Sequence, residues 1–361
     1  MKNVLVDIYL AYNLGDDMFL EVLAKRFPET RFTIFHPGDN YAPFFSSYHN
    51  LEKLPYSIKD KILRKINVYN YLNDHKKFAE KYDALLFLGG GIFREESYEE
   101  ELFQTRSSLV AEFNNKNKPV FFTGCSFGPY TNESFRKKHE VLFSQCADVC
   151  FRDLYSYNLF SNVEQVRYAP DLIWGYEVPE KNTNNDKNLG ISVIDPRHKS
   201  GLEGFYKEYV DSHKDLIKKY IAKGYKISLF SYCEPEGDLA VINQIISGFS
   251  EELQENITVY NYTGNIHKYL QMMCLSTRFV AARFHANIIA MLMEIPTLPV
   301  IYSNKTLNML EDINFGNSSV DIKDLKQLTK YYFMNYELPE LTEVAVKSKA
   351  HFNKLEIFLG K

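Results

Sequence analysis

The sequence predicts an α/β protein of two domains, each built on a parallel sheet, with a final helix returning to the first domain. Length is the first reason, because 361 residues exceed what one hydrophobic core usually serves. The second is an alternation of short apolar runs with helical-period segments along the chain, the mark of a parallel sheet crossed by helices. The third is the stretch 177–187 (EVPEKNTNNDK), polar and Asn-rich with a proline, which reads as a linker. The expected division is therefore 1–178, 188–335 and a C-terminal helix within 336–361. The two domains are expected to face each other across a cleft.

Residues 4–10 read as the first strand, pointing at Asn13-Leu14-Gly15-Asp16-Asp17, and a helix follows from Asp16 to just before Pro28. A strand at 31–35 comes next. Residues 40–81 are polar and weakly periodic, and read as helices and loops over a sheet edge. The apolar run 82–88 is a buried strand stopped by Gly89, Gly90 and Gly91. Three glycines after a strand let backbone approach a ligand or a neighbouring loop closely, where a plain turn needs one or two. A strand at 120–123 runs into Gly124-Cys125-Ser126-Phe127-Gly128-Pro129, a helix covers 134–146, and a strand at 148–151 ends on Arg152-Asp153. A short helix at 154–160 and a strand at 166–168 close the first domain at Pro170-Asp171. In the second domain strands are expected at 189–194, 226–231, 257–260, 279–282 and 297–302. Helices are expected at 206–221, 238–249, 266–273, 286–293 and 306–310, and the final helix at 341–359.

The composition is that of an ordinary soluble globular chain, and a net charge of -4 gives no reason to expect a nucleic-acid partner. Aromatic content is high, with 26 Tyr and 27 Phe; tyrosine-rich surfaces suit carbohydrate, and a compositional bias explains them equally well. The five cysteines are odd in number, form no C-x-x-C pair and complete no zinc site, so free thiols in a reducing cytosol are expected, with no metal. The N-terminus is too short and too charged for a signal core, and no apolar run approaches the ~20 residues of a membrane span. A cytoplasmic protein is expected, one compatible with a peripheral visit to a membrane.

The corner around Arg283, Phe284 and His285 carries the chemistry. A buried strand runs into it and a buried helix leaves it. Unpaired N–H groups and the positive dipole end favour an anion at a helix start. Arg283 adds a planar donor fork for carboxylate or phosphate, and His285 exchanges protons near neutral pH. The alternative is that both side chains merely cap a buried corner. Asp16 reads either as a helix N-cap or as a functional acid. The turn at Gly15 is not G-x-G-x-x-G, which argues against a dinucleotide site. Lys305, at a helix start, reads as an anion contact or as a solvated cation.

Together these loops resemble the polysaccharide pyruvyl transferase family. The resemblance rests on Asn13-x-Gly15-Asp16, Leu88-Gly89-Gly90-Gly91, Gly124-x-Ser126-x-Gly128-Pro129, Arg152-Asp153-x-x-Ser156, Pro170-Asp171 and Arg283-Phe284-His285-Ala286, over about residues 3–312. It implies a GT-B-like fold and transfer of an enolpyruvyl group from phosphoenolpyruvate to a sugar diol, forming a cyclic ketal. By the same resemblance Arg283 and Arg152 bind the donor and His285 is the acid that protonates its methylene carbon. Asp16 is the candidate base. Asn13, Gly15, Gly89, Gly90, Gly91, Ser126 and Phe284 are the further substrate contacts these motifs imply, and Lys305 is a candidate contact from its place at a helix start. The implied partners are phosphoenolpyruvate and a sugar or glycan acceptor, free or lipid-linked, without a metal or resident cofactor. Cys125 is read as packing.

Two other classes stay open. A GT-B glycosyltransferase using a nucleotide sugar would share this layout, with Glu234 or Glu294 offered to a donor ribose. A non-catalytic glycan-binding protein of the same fold would tolerate loss of His285.

Overall fold

The computed structural model describes residues 2–180, 187–330, 333 and 336–360. Residues 181–186 of the expected linker, and 331, 332, 334 and 335, lie outside them. The chain forms two compact units: Met1–Leu10, Phe19–Leu172 and Val346–Lys361 in the first, Ala11–Met18 and Ile173–Ala345 in the second.

In the first unit seven strands form one sheet: β1 Asn3–Asp7, β2 Arg31–Ile34, β3 Leu51–Lys53, β4 Ala84–Phe93, β5 Val120–Phe127, β6 Asp148–Phe151 and β7 Val166–Tyr168. Their order is β3-β2-β1-β4-β5-β6-β7. In the second, β8 Asn188–Ser192, β9 Lys226–Ser231, β10 Ile257–Asn261, β11 Arg278–Ala281, β12 Thr297–Ile301 and β13 Val320–Asp321 are ordered β10-β9-β8-β11-β12-β13. Every described pairing is parallel. Both sheets are doubly wound, reversing direction beside the first strand of each unit, β1 against β4 and β8 against β11. Ligands bind outside strand carboxyl ends at such reversals.

Several expectations change. The strand expected to stop at Gly89 runs on through the glycines to Phe93, with Gly89 and Gly90 at φ 71 and 76 and a register shift after Gly90. A Cβ on Gly89 would meet the Phe19 ring 2.2 Å away, so this glycine admits a packed aromatic. β5 likewise continues past Thr123 with a shift at Gly124. Residues 51–53, read as loop, form edge strand β3. The 17-residue helix Glu99–Asn115 escaped the periodicity because its buried residues, Leu109, Val110 and Phe113, are confined to its second half.

The aromatic bias is spent inside. Phe87 stacks on Phe122 at 4.3 Å between centroids, with Phe93, Phe127, Phe143 and Phe160 packed around them. Tyr41, Tyr82, Tyr209, Tyr232 and Tyr262 are fully buried.

The C-terminal segment is two helices, Thr342–Ser348 and Asn353–Leu359, joined by a 3₁₀ turn, rather than one. It returns to the first unit as expected: Arg167 binds both oxygens of Asp148 and donates to the carbonyls of Ala350 and His351, and Phe352 sets its edge on Phe27. Residues 11–18 belong elsewhere than the expected first domain. Leu14 N donates to Tyr232 O at 3.1 Å and the Tyr262 hydroxyl to Asp17 at 2.7 Å, which ties this turn to the second unit.

Candidate active site

The Arg283 corner is fixed from both sides. Ser192, ending β8, accepts from the N–H groups of Ala282 and Arg283 at 3.1 and 3.3 Å. Asn287, one turn into the helix Phe284–Leu292, donates to the carbonyls of Ala281 and Arg283. Because β8 and β11 are neighbours at the reversal of strand order, the corner sits where a doubly wound sheet holds its ligand.

Arg283 is 6% exposed and its side chain is engaged by two carboxylates. Its Nε and Nη2 grip Asp238, Nε at 2.9 Å, and its Nη1 donates to Glu236 at 2.7 Å. Burial opposes the charge, but Asp238 and Glu236 hold the guanidinium protonated well above its ordinary range. The two acids differ. Asp238 is fully buried and its Oδ2 also accepts from the N–H groups of Tyr232 and Cys233, both at 3.0 Å. Burial pushes its pKa up, against the pull of Arg283. Glu236 is partly exposed and its carboxylate is held by side chains, with Lys199 at 2.8 Å on the oxygen that Arg283 also uses. Burial acts against its charge too, but Arg283 and Lys199 hold it well below the usual carboxylate range.

His285 is half-buried, its ring edge-on to Phe284 at 5.0 Å. The turn of residues 11–18 lies against it: a Cβ built on Gly15 would fall 1.7 Å from His285 Nδ1, so only glycine fits there with the imidazole in this place. Asn13 fixes that turn by accepting from Gly15 N at 3.1 Å. It is therefore Asn13, rather than Asp16, that caps the helix Leu14–Arg26; Asp16 is the buried third residue of its first turn. The other end of the Asn13 amide stands 3.5 Å from Glu236. Thus Asn13, Gly15 and Asp16 come together with Arg283, Phe284 and His285 in one unit. Lys305, half-buried, opens the helix Asn304–Asp312 in the same unit.

The remaining expected residues lie in the first unit. Arg152, also 6% exposed, donates to Ser126 at 2.7 Å and to Asp171 at 2.9 Å. Gly90 and Gly91 are half-buried within β4. Cys125 is buried and its thiol is pushed up to about 12 by burial, as packing requires and a nucleophile does not. Glu234 is exposed and accepts from Asn261, and Glu294 occupies a left-handed turn at φ 55.

Glu236, Asp238 and Lys199 were not foreseen. For the two acids the signal is the run Glu234-Pro235-Glu236-Gly237-Asp238 two residues beyond β9, where acids gather around a glycine near a strand end. In sequence Asp238 reads only as a helix start.

Residues 13–304 match the family model described as polysaccharide pyruvyl transferase. The chain belongs to the polysaccharide pyruvyl transferase family. It is thus a transferase, as the motifs implied. Among curated proteins it is similar to the amylovoran biosynthesis protein AmsJ of Erwinia amylovora, 21% identical over 294 residues, 73% of this chain and 67% of that one. Among solved structures, Anabaena HepE in complex with UDP aligns with a TM-score of 0.58 at 11% identity over 100% of this chain and 98% of that one. Acinetobacter baumannii MurG gives 0.50 at 12% identity, over 100% of both chains. A mutant of S. aureus TarM, in a complex that includes UDP, gives 0.55 at 11% over 100% and 99%. These likenesses speak to fold, and the fold is GT-B: two Rossmann-like units. Among the described residues no helix is long and apolar enough to cross a membrane.

Proposed function

We propose that this transferase moves the enolpyruvyl group of phosphoenolpyruvate onto two hydroxyls of a sugar, forming a pyruvate ketal during the synthesis of a cell-surface polysaccharide. The reading is carried by one observation: an imidazole and a guanidinium stand two residues apart on a locked corner at the strand-order reversal. The donor carries a carboxylate and a phosphate, and Arg283 presents the fork that anions of this kind require.

His285 gives its proton to the donor's methylene carbon, which becomes a methyl group and leaves the central carbon electrophilic. Since its Nδ1 edge lies on Gly15, we assign the proton to Nε2. One sugar hydroxyl adds to the central carbon and loses its proton to Asp16. Phosphate departs with its bonding electrons. The second hydroxyl closes the ketal, and of the two hydroxyl protons one restores His285 and the other leaves on phosphate. Arg283 enters this scheme already occupied. Asp238 is anchored by backbone N–H groups, so Glu236 is the carboxylate that yields Nη1 to the donor. Arg152, Ser126, Gly89, Gly90 and Gly91 stay in the proposal as substrate contacts on the family resemblance alone, and Lys305 as a cation at a helix start; for Gly89 the Phe19 ring supplies a packing reason as well. The cytoplasm, where phosphoenolpyruvate is available, is the proposed location.

A second reading has support, since the HepE and TarM complexes contain UDP: transfer from a nucleotide sugar on the same fold. Acceptor-dependent release of phosphate from phosphoenolpyruvate separates the two. The expected result is release with the wild type and a loss of about 10²–10⁴ in rate for a folded His285→Asn variant. Turnover of a nucleotide sugar with none of phosphoenolpyruvate would move the assignment to the second reading. Full activity in His285→Asn would remove the acid.

A further inference from the structure

In the first unit the helix Ile58–Lys65 contains no buried residue. It is nevertheless built as a helix. Ser57 and Asp60 close a capping box at its start, and Asn67 takes a left-handed φ of 54 just beyond its end. Ile58, Ile62 and Ile66 repeat every fourth residue and are 76%, 55% and 58% exposed, with Val68 following at 69%. At 3.6 residues per turn these isoleucines form one stripe. The same wheel sets Lys61 and Lys65 on one flank and Lys59 on the other. Four cations, Lys59, Lys61, Arg64 and Lys65, against Asp60 alone leave the helix at +3, on a chain whose net charge is -4.

A stripe of aliphatic residues turned to water costs solubility unless something covers it. The flanking charge says what. A second copy meeting this face symmetrically would press lysines against lysines. An anionic lipid surface takes both parts, the isoleucines at the headgroup–acyl boundary and the cations on lipid phosphates. We propose that the helix Ile58–Lys65 is a docking element for an anionic membrane surface. Should the proposed acceptor be lipid-linked, this contact would deliver the enzyme to it; that link rests on the proposed function, whereas the contact with lipid does not.

The test is co-sedimentation of the full chain with vesicles of equimolar phosphatidylglycerol and phosphatidylcholine, and with phosphatidylcholine alone. It contains neither donor nor acceptor, so it fails or succeeds apart from the proposed chemistry. Anionic vesicles should bind roughly a hundredfold better than neutral ones, about fivefold for each unit of net positive charge. Lys61→Glu with Lys65→Glu should erase that preference. Ile58→Gln, Ile62→Gln and Ile66→Gln together, all at exposed positions, should release the protein from vesicles with its fold intact. Wild type remaining in the supernatant with anionic vesicles would overturn the proposal. So would binding indifferent to these variants, or a solution dimer that Ile62→Glu dissolves without any lipid binding.

Discussion

Arg152 in the first unit and Arg283 in the second are equally buried motif arginines at strand ends, and they are held differently. Arg152 donates to the carboxylate of Asp171 and the hydroxyl of Ser126, beside a C-terminal segment whose His351 binds the Pro170 carbonyl. Arg283 meets two carboxylates, and only one of them is anchored by backbone. For Arg283, Asp238 is the carboxylate fixed by backbone N–H groups, and in the proposed function Glu236 is the one that yields to the donor. Removing Asp238 would leave the buried guanidinium with Glu236 as its remaining carboxylate, whereas the Glu236 carboxylate itself is held by side chains alone.

The largest expected effect breaks the second arrangement without touching either arginine. Gly15→Ala places a methyl group where His285 Nδ1 now stands. Turnover should fall by about 10²–10⁴, the worth of a positioned acid, while circular dichroism stays native. Retained turnover would show that the imidazole is not the proton donor. A smaller effect sharpens the contrast. If Glu236 fills the donor's place nine-tenths of the time, Glu236→Gln should tighten phosphoenolpyruvate binding about tenfold, measured by calorimetry. The same variant should cost stability at neutral pH. Arg283 and Lys199 hold the folded-state pKa of Glu236 below its ordinary value of 4.5. Its contribution is therefore full above that value and is lost as pH falls through the folded one, so melting points of wild type and variant should converge in acid.

Much of this was legible in the residues. β6, β9 and the helices Tyr206–Ile221 and Ile266–Met273 fall where periodicity put them, because each carries a buried apolar face between clear breakers, and β7 falls where the turn residues after it put it. The pairing of Arg283 with His285 was visible as local sequence. What held Arg283 was not: Glu236 and Asp238 lie some 45 residues away, and only the parallel pairing of β8 with β9 and β11 brings their strand ends together. The membership of residues 11–18 in the second unit was hidden for the same reason, being fixed by Tyr232 and Tyr262. Gly89 misled by looking like a strand stop when its partner is the Phe19 ring.

The most direct measurement is thermal stabilisation by phosphoenolpyruvate of the wild type and of Arg283→Lys. A ligand that binds only the native state adds about 2.7 kcal/mol at a hundredfold excess over Kd. Lysine keeps the charge but cannot grip Asp238 and a donor at once. The expected result is a clear upward shift in melting temperature for the wild type and little or none for the folded variant. Equal shifts in both, or none in the wild type at millimolar donor, would contradict a donor site on the Arg283 corner.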